Sequence, residues 1–220
     1  MAFGQSIQKI ELQTTSLKKG LVGGNDNPSN NIESIRRDPY GVDGSPQDNK
    51  EDRCIFWVET GASGWSDVKS ASRIRSARIR VQATSTSSDT NNTIDFHSSG
   101  TGSNSVAANL ANWADYAFRA TWPVAGGNIT TVSNSTSIPG GVGRWSGNVA
   151  EATKSMTASD YPLWVGKVNI ESEPVSSAGD DAMNFYDENV IINSSRPHLL
   201  VVLGKEKMPR RLQAHRRRLT

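Results

Sequence analysis

The sequence is poor in the residues on which most catalytic and redox chemistry depends. Its 220 residues include one cysteine, Cys54, and three histidines, His97, His198 and His215. A lone cysteine excludes an intramolecular disulfide, and paired CxxC knuckles for zinc are excluded with it. Cys54 lies in an apolar run and is therefore read as a small buried hydrophobe, not a reactive thiol. The histidines fall at the end of a polar segment, in the last apolar run and in a basic C-terminal stretch. No GxSxG elbow, HExxH motif, GxGxxG fingerprint or Walker sequence accompanies them, so hydrolase, zinc and nucleotide chemistries are set aside. The expectation is a protein without enzymatic activity or cofactor.

Long apolar runs are missing as well. No stretch of about 18 apolar residues occurs, and the opening MAFGQSIQKIELQ lacks the apolar centre of a secretory signal. A soluble chain synthesised in the cytoplasm, with no membrane contact, is expected. The sequons at Asn91, Asn128, Asn134 and Asn193 are accordingly read as by-products of Ser- and Asn-rich loops.

What is abundant is turn chemistry. The chain has 19 Gly and 9 Pro, an apolar fraction of only 35%, and long Ser, Thr and Asn tracts, the composition of short strands joined by loops. Arg53 to Glu59 places Cys54, Phe56 and Val58 on one face and Ile55 and Trp57 on the other, which predicts a central strand. Ile74 to Ala83 alternates Ala77, Ile79 and Val81 with Arg78, Arg80 and Gln82, predicting a half-buried strand with a charged outer face. Thr84 to Asn92 reads as a polar loop, followed by a short strand near Thr93 to His97.

The spacing of Val106, Leu110, Trp113 and Ala117 predicts the only helix, across 105–120. Further strands are expected near 32–35, 120–124, 128–132, 163–170, 184–192 and 197–203, with a glycine loop at 140–147. The apolar run Leu199 to Leu203 reads as a strand covered on both faces. Together these predict an all-β, jelly-roll-like antiparallel sandwich with at most one short helix and extended terminal arms. Its parts are an N-terminal arm or edge strand at 1–22, the sandwich at 23–204 and a basic C-terminal arm at 205–220.

The order of four stretches resembles the DNRLRE-type modules, jelly-roll sandwiches related in architecture to carbohydrate-binding modules. They are the Arg-led strand Arg53-Cys54-Ile55-Phe56-Trp57-Val58, then Ile74-Arg75-Ser76-Ala77-Arg78-Ile79-Arg80-Val81, the Ala120-Thr121-Trp122-Pro123 segment with Gly126-Gly127, and the closing Ser195-Arg196-Pro197-His198-Leu199-Leu200-Val201-Val202. The likeness covers about residues 30–203. Modules of this kind without a secretory signal also resemble accessory proteins of tailed-bacteriophage particles. The resemblance implies a virion structural protein made in the host cytoplasm: a capsid decoration (cement) protein, or else a neck or tail component. Its implied partners are other virion proteins, and self-association into a homo-oligomer is expected.

Two features bear on how such a protein would bind. Residues 205–220 hold seven Lys or Arg and one Glu, which leaves 17 basic and 21 acidic residues in 1–204, so the basic character is assigned to the tail alone. Lys205, Lys207, Arg210, Arg211, Arg216, Arg217 and Arg218 are the candidate partner-binding residues. A solvated tail, docking onto a neighbouring subunit and direct DNA contact are the roles open to it. The acidic body repels a phosphate backbone, which ranks DNA last. Of the six tryptophans, Trp57 and Trp164 read as core, whereas Trp65, Trp113, Trp122 and Trp145 lie in or near loops. There an indole covers the end of the sandwich, anchors an interface or stacks on a sugar ring, so carbohydrate binding is the alternative function. Asp180-Asp181 and Asp187-Glu188 are read as solvated loop carboxylates; neither pair stands in a DxDxDG-like loop that would hold structural calcium.

Overall fold

The computed structural model describes residues 5–18, 32–38, 50–59, 61–87, 93–99, 115–117, 120–121, 129–132, 136–137, 142–157, 162–169 and 181–204. In chain order the elements begin with strands β1 (Gln5–Glu11), β2 (Gln13–Lys18), β3 (Ile32–Asp38) and β4 (Lys50–Trp57). Helix α1 (Trp65–Ser70) is followed by β5 (Ile74–Ser87), β6 (Thr93–Ser99), β7 (Asp115–Ala117), β8 (Ala120–Thr121), β9 (Ile129–Val132), β10 (Thr136–Ser137) and β11 (Gly143–Asn148). Helix α2 (Ala150–Ser155), β12 (Leu163–Val168), β13 (Asp181–Tyr186) and β14 (His198–Gly204) complete it. The result is an all-β, antiparallel, two-layer sandwich.

One layer runs β1-β14-β5-β11, and the other contains β13, β3, β4, β12 and β6. Two segments pass from one layer to the other. Residues 5–18 pair with β14 and then, past Leu12, with β4. β5 pairs with β14 and β11 along its first ten residues and with β13 through Ser87. β4 stays within the second layer, its Lys50 to Asp52 paired with β3 and its Cys54 to Trp57 with β12. Strands that change layers make the corners of a sandwich. Gln5 pairs with Gly204, so the first and last described residues lie side by side at one sheet edge.

The space between the layers is filled from every strand of both, with Ile10, Ile35, Phe56, Ala77, Ile79, Phe96, Trp164, Phe185, Leu199 and Val201 fully enclosed. A row of rings crosses it. Phe185 stacks on Phe56 at 5.5 Å, Phe56 meets Phe96 edge-on at 5.7 Å, and Phe96 meets Trp145 at 5.7 Å. β4 is central as its two apolar faces require: Cys54 and Phe56 point inward, while Ile55 and Trp57 are buried on the other face beside Val165 and Leu163 of β12.

Several expectations are corrected. Among the described residues two short α-helices form where at most one was expected, and neither lies at 105–120. Asp115–Ala117 is a strand paired with Ala120–Thr121, and 105–114 lie outside the described residues. A three- to four-residue apolar spacing over a segment holding Tyr116 and Phe118 is compatible with extended backbone once a partner strand is present. α1 is one turn in which Trp65 and Val68, three residues apart, both face the core. The polar loop expected from Thr84 is strand through Ser87, because β13 supplies a ladder and Thr suits extended backbone.

The glycine loop at 140–147 contains β11, an edge partner of β5. Gly147 is needed there for close approach: a Cβ would overlap the Phe96 ring and come within 2.7 Å of the Trp145 ring. Finally, β14 is covered on one face only. Leu199, Val201 and Leu203 are buried, while Leu200 and Val202 are half-exposed.

Candidate functional site

The sheet β1-β14-β5-β11 has an inner face sealed by the core and an outer face whose composition follows from register. Lys9 pairs with Leu200 and Leu200 with Arg78, while His198 lies between Glu11 and Arg80. On the far side of β5, Arg144 pairs with Gln82 and Ser146 with Arg80. Because side chains alternate across a strand, the outer face carries Lys9, Arg78, Arg80 and Arg144, all exposed, around half-exposed Leu200 and His198.

A cleft of about 220 Å³ opens on this face, with Lys9, Arg80, Arg144, Arg196 and His198 around it and Leu200 in its floor. Arg196 is positioned from the loop after β13. Its Nε donates to the Val190 carbonyl at 3.0 Å, and an Nη donates to the Glu11 carboxylate at 3.1 Å. His198 Nδ1 lies 3.3 Å from the Arg196 carbonyl oxygen. Burial lowers the His198 pKa first, and Lys9, Arg80 and Arg144 push it down further, so three cations converge on this ring. Among the described residues, no carboxylate makes an ion pair with Lys9, Arg78, Arg80 or Arg144.

The cluster corrects the assignment of basic character to the tail alone. Arg78 and Arg80 were legible as an outer stripe of β5. Lys9, Arg144, Arg196 and His198 were not, since only the pairing of four strands from distant parts of the chain brings them together. The signal in the sequence was an alternating Arg next to an apolar strand with no acidic residue in its outward positions.

The aromatic candidates divide. Trp65 and Trp145 are core residues, each 6% exposed, and not loop platforms for a sugar. Trp65 meets Trp164 edge-on at 6.1 Å, and Trp145 Nε1 donates to the Ser137 carbonyl at 2.9 Å. Trp113 and Trp122 lie outside the described residues, as do Lys205, Lys207, Arg210, Arg211, Arg216, Arg217 and Arg218. Trp57 and Trp164 are buried as expected. Compared with known proteins, the chain matches no family model and no curated protein.

A second hollow, of about 730 Å³, lies between the start of β5 and the end of α2 and includes Arg73, Arg75 and Lys154. Lys154 is paired with Glu151 at 2.6 Å. The Gly204 amide donates to the Arg73 carbonyl at 2.8 Å, so the last described residue of β14 lies beside this hollow, at the opposite end of the strand from the cleft. Seven residues of strand separate the two ends, roughly 20 Å.

Carboxylates gather elsewhere, under β2. Thr14 donates from its backbone at 3.0 Å and its hydroxyl at 2.7 Å to Glu188, and Ser16 donates its hydroxyl to Glu33. Asp187, expected to be a solvated loop carboxylate, is 1% exposed and accepts from the Asn189 amide at 2.8 Å. Burial is the main cause that raises the pKa of Glu33, to about 7, and of Glu188. Among the described residues no group of three or more His, Cys, Asp or Glu is placed to hold a metal ion. The cluster therefore reads as a hydrogen-bonded link between β2, β3 and the end of β13.

Proposed function

We propose that the protein is a structural component of a tailed-bacteriophage particle, a capsid decoration protein or otherwise a neck or tail component, acting as a rigid block that presents the β1-β14-β5-β11 face to its neighbours. The phage assignment rests on the order of strand motifs and on composition. The observation that carries the assembly role is the character of that face. Ile7 is 65% exposed beside its cross-strand partner, half-exposed Val202, and Leu200 is half-exposed among cations without carboxylate partners. The loop that brings Ser194 and Arg196 to the cleft also carries Ile191 and Ile192, 90% and 60% exposed. Aliphatic area flanked by charge is the make-up of an interface centre and rim.

Residues 5–18 are strands of the sandwich and act through the outer face of β1, not as a free arm. The gripping role falls to residues 205–220, which start at the Gly204 corner. A carbohydrate-binding role would have to rest on Trp113 and Trp122. The experiment is electron cryomicroscopy of particles purified from the source, with antibody labelling of this protein. Density at regular capsid, neck or tail positions with the sheet face against a neighbour is the expected result. Absence of the protein from purified particles overturns the proposal.

A further inference from the structure

The cleft on the outer sheet face is a second basic element, separate from the tail, and its chemistry narrows what it takes. We propose that it binds an acidic segment of a partner protein, seating carboxylates on Lys9, Arg80 and Arg144 and an aliphatic side chain on Leu200. The inference concerns this surface alone and holds wherever the protein resides.

Three observations carry it. First, Lys9, Arg80 and Arg144 come from three different strands, converge on His198, and have no carboxylate ion-pair partner among the described residues. Like charges held this close on a rigid sheet repel one another, and a bound anion relieves that repulsion. Second, one of the cleft's cations already holds a carboxylate in the required way: Arg196, which lines the cleft, lies 3.1 Å from Glu11 on β1. An incoming Asp or Glu would extend this pairing inward. Third, half-exposed Leu200 in the floor offers a seat for an apolar side chain, and Ile7 and its cross-strand partner Val202 continue the aliphatic area on the same sheet beyond the cleft.

A nucleic-acid backbone uses none of the aliphatic area. It also needs a longer cationic track than four strands provide, since these span roughly 15 Å.

The test uses the full chain and two fluorescent probes in anisotropy titrations at about 20 mM salt. One is a peptide of about twelve residues repeating Glu-Glu-Leu-Glu, and the other is a single-stranded oligonucleotide of similar length. Saturable peptide binding is expected, weakened at least about tenfold in the Arg80→Glu/Arg144→Glu variant. It should be retained when Arg216, Arg217 and Arg218 are all changed to Gln. Both arginines are exposed, so the melting curve of the variant should superimpose on the parent's; the neutral pair Arg80→Gln/Arg144→Gln gives a smaller loss of affinity in the same direction. Three results would each overturn the assignment: no saturable peptide binding, binding unchanged by the double charge reversal, or an oligonucleotide that binds more tightly and is the probe lost on reversal.

Discussion

Ser16 on β2 donates its hydroxyl to the carboxyl group of Glu33 on β3, and the same oxygen accepts the Ser34 amide at 2.9 Å. Burial raises the Glu33 pKa from 4.5 to about 7, with Glu188 and Asp187 adding to the rise and the Ser16 hydrogen bond opposing it. The folded chain therefore binds a proton here that the unfolded chain releases, so the stability contributed at low pH is lost as pH rises from 4.5 through about 7. Glu33→Gln copies the protonated form. It should stabilise the protein at pH 8 by up to about 3 kcal/mol, taking roughly 1.4 kcal/mol per pKa unit, with the gain fading toward pH 4. Denaturant melts across this range check it, and a difference that does not change with pH would refute it.

His97 works in the opposite sense. Burial, then the charge of Lys167, lowers its pKa from 6.5 to about 4. A histidine held neutral contributes stability above 6.5 that is lost as pH falls through about 4. Between pH 4.5 and 6.5 the two residues oppose each other, which flattens the profile of the parent protein. His97→Asn should expose the Glu33 slope, with melting temperature falling more steeply as pH rises through that window. Parallel profiles for parent and variant would rule this out.

Gly147 faces Phe96 and Trp145 on an inner sheet position with no space for a methyl group. Gly147→Ala should destabilise the fold by about 1–3 kcal/mol through overpacking. At this chain length that lowers the melting temperature by about 2–4 °C per kcal/mol. A variant as stable as the parent would mean that β11 does not lie against β6.

Trp145 packs on Phe96 and donates its indole N–H to Ser137. Trp145→Phe keeps a ring but strips that carbonyl of its donor and should cost about 1–2 kcal/mol. Trp65→Ala should cost about 3–5 kcal/mol, as other large core truncations do. Neither change should register as a lost sugar affinity in a protein that remains folded. Chemical denaturation of the two variants, followed by circular dichroism, makes the measurement.

Cys54 is fully enclosed, and its thiol is pushed well above its ordinary pKa, first by burial and then by Glu33. A thiol reagent should modify it no faster than the protein unfolds. Rapid modification under native conditions would contradict the placement of β4 at the centre.

What the sequence made legible was local alternation. Ala77, Ile79 and Val81 announce the inner face of β5, and the two apolar faces of 54–58 announce a strand with neighbours on both edges. Features that depend on partners far along the chain were not legible. Thr84 to Ser87 reads as loop until β13 lies beside it, and Trp65 and Trp145 read as loop aromatics until Trp164 and Phe96 are placed against them. The cationic cleft belongs to the same class. Lys9 and Arg144 are more than 130 residues apart, and an alternating pattern within one strand carries no information about which strands will flank it.

The pairing of Gln5 with Gly204 bears on mechanics. Force applied between these two points would peel β1 from β14 one hydrogen bond after another, a zipper geometry, whereas strands loaded along their length break many bonds at once. The sandwich would yield early if tethered through both ends. It would resist if loaded between its broad face and the Gly204 corner, where every strand of the first layer shares the strain.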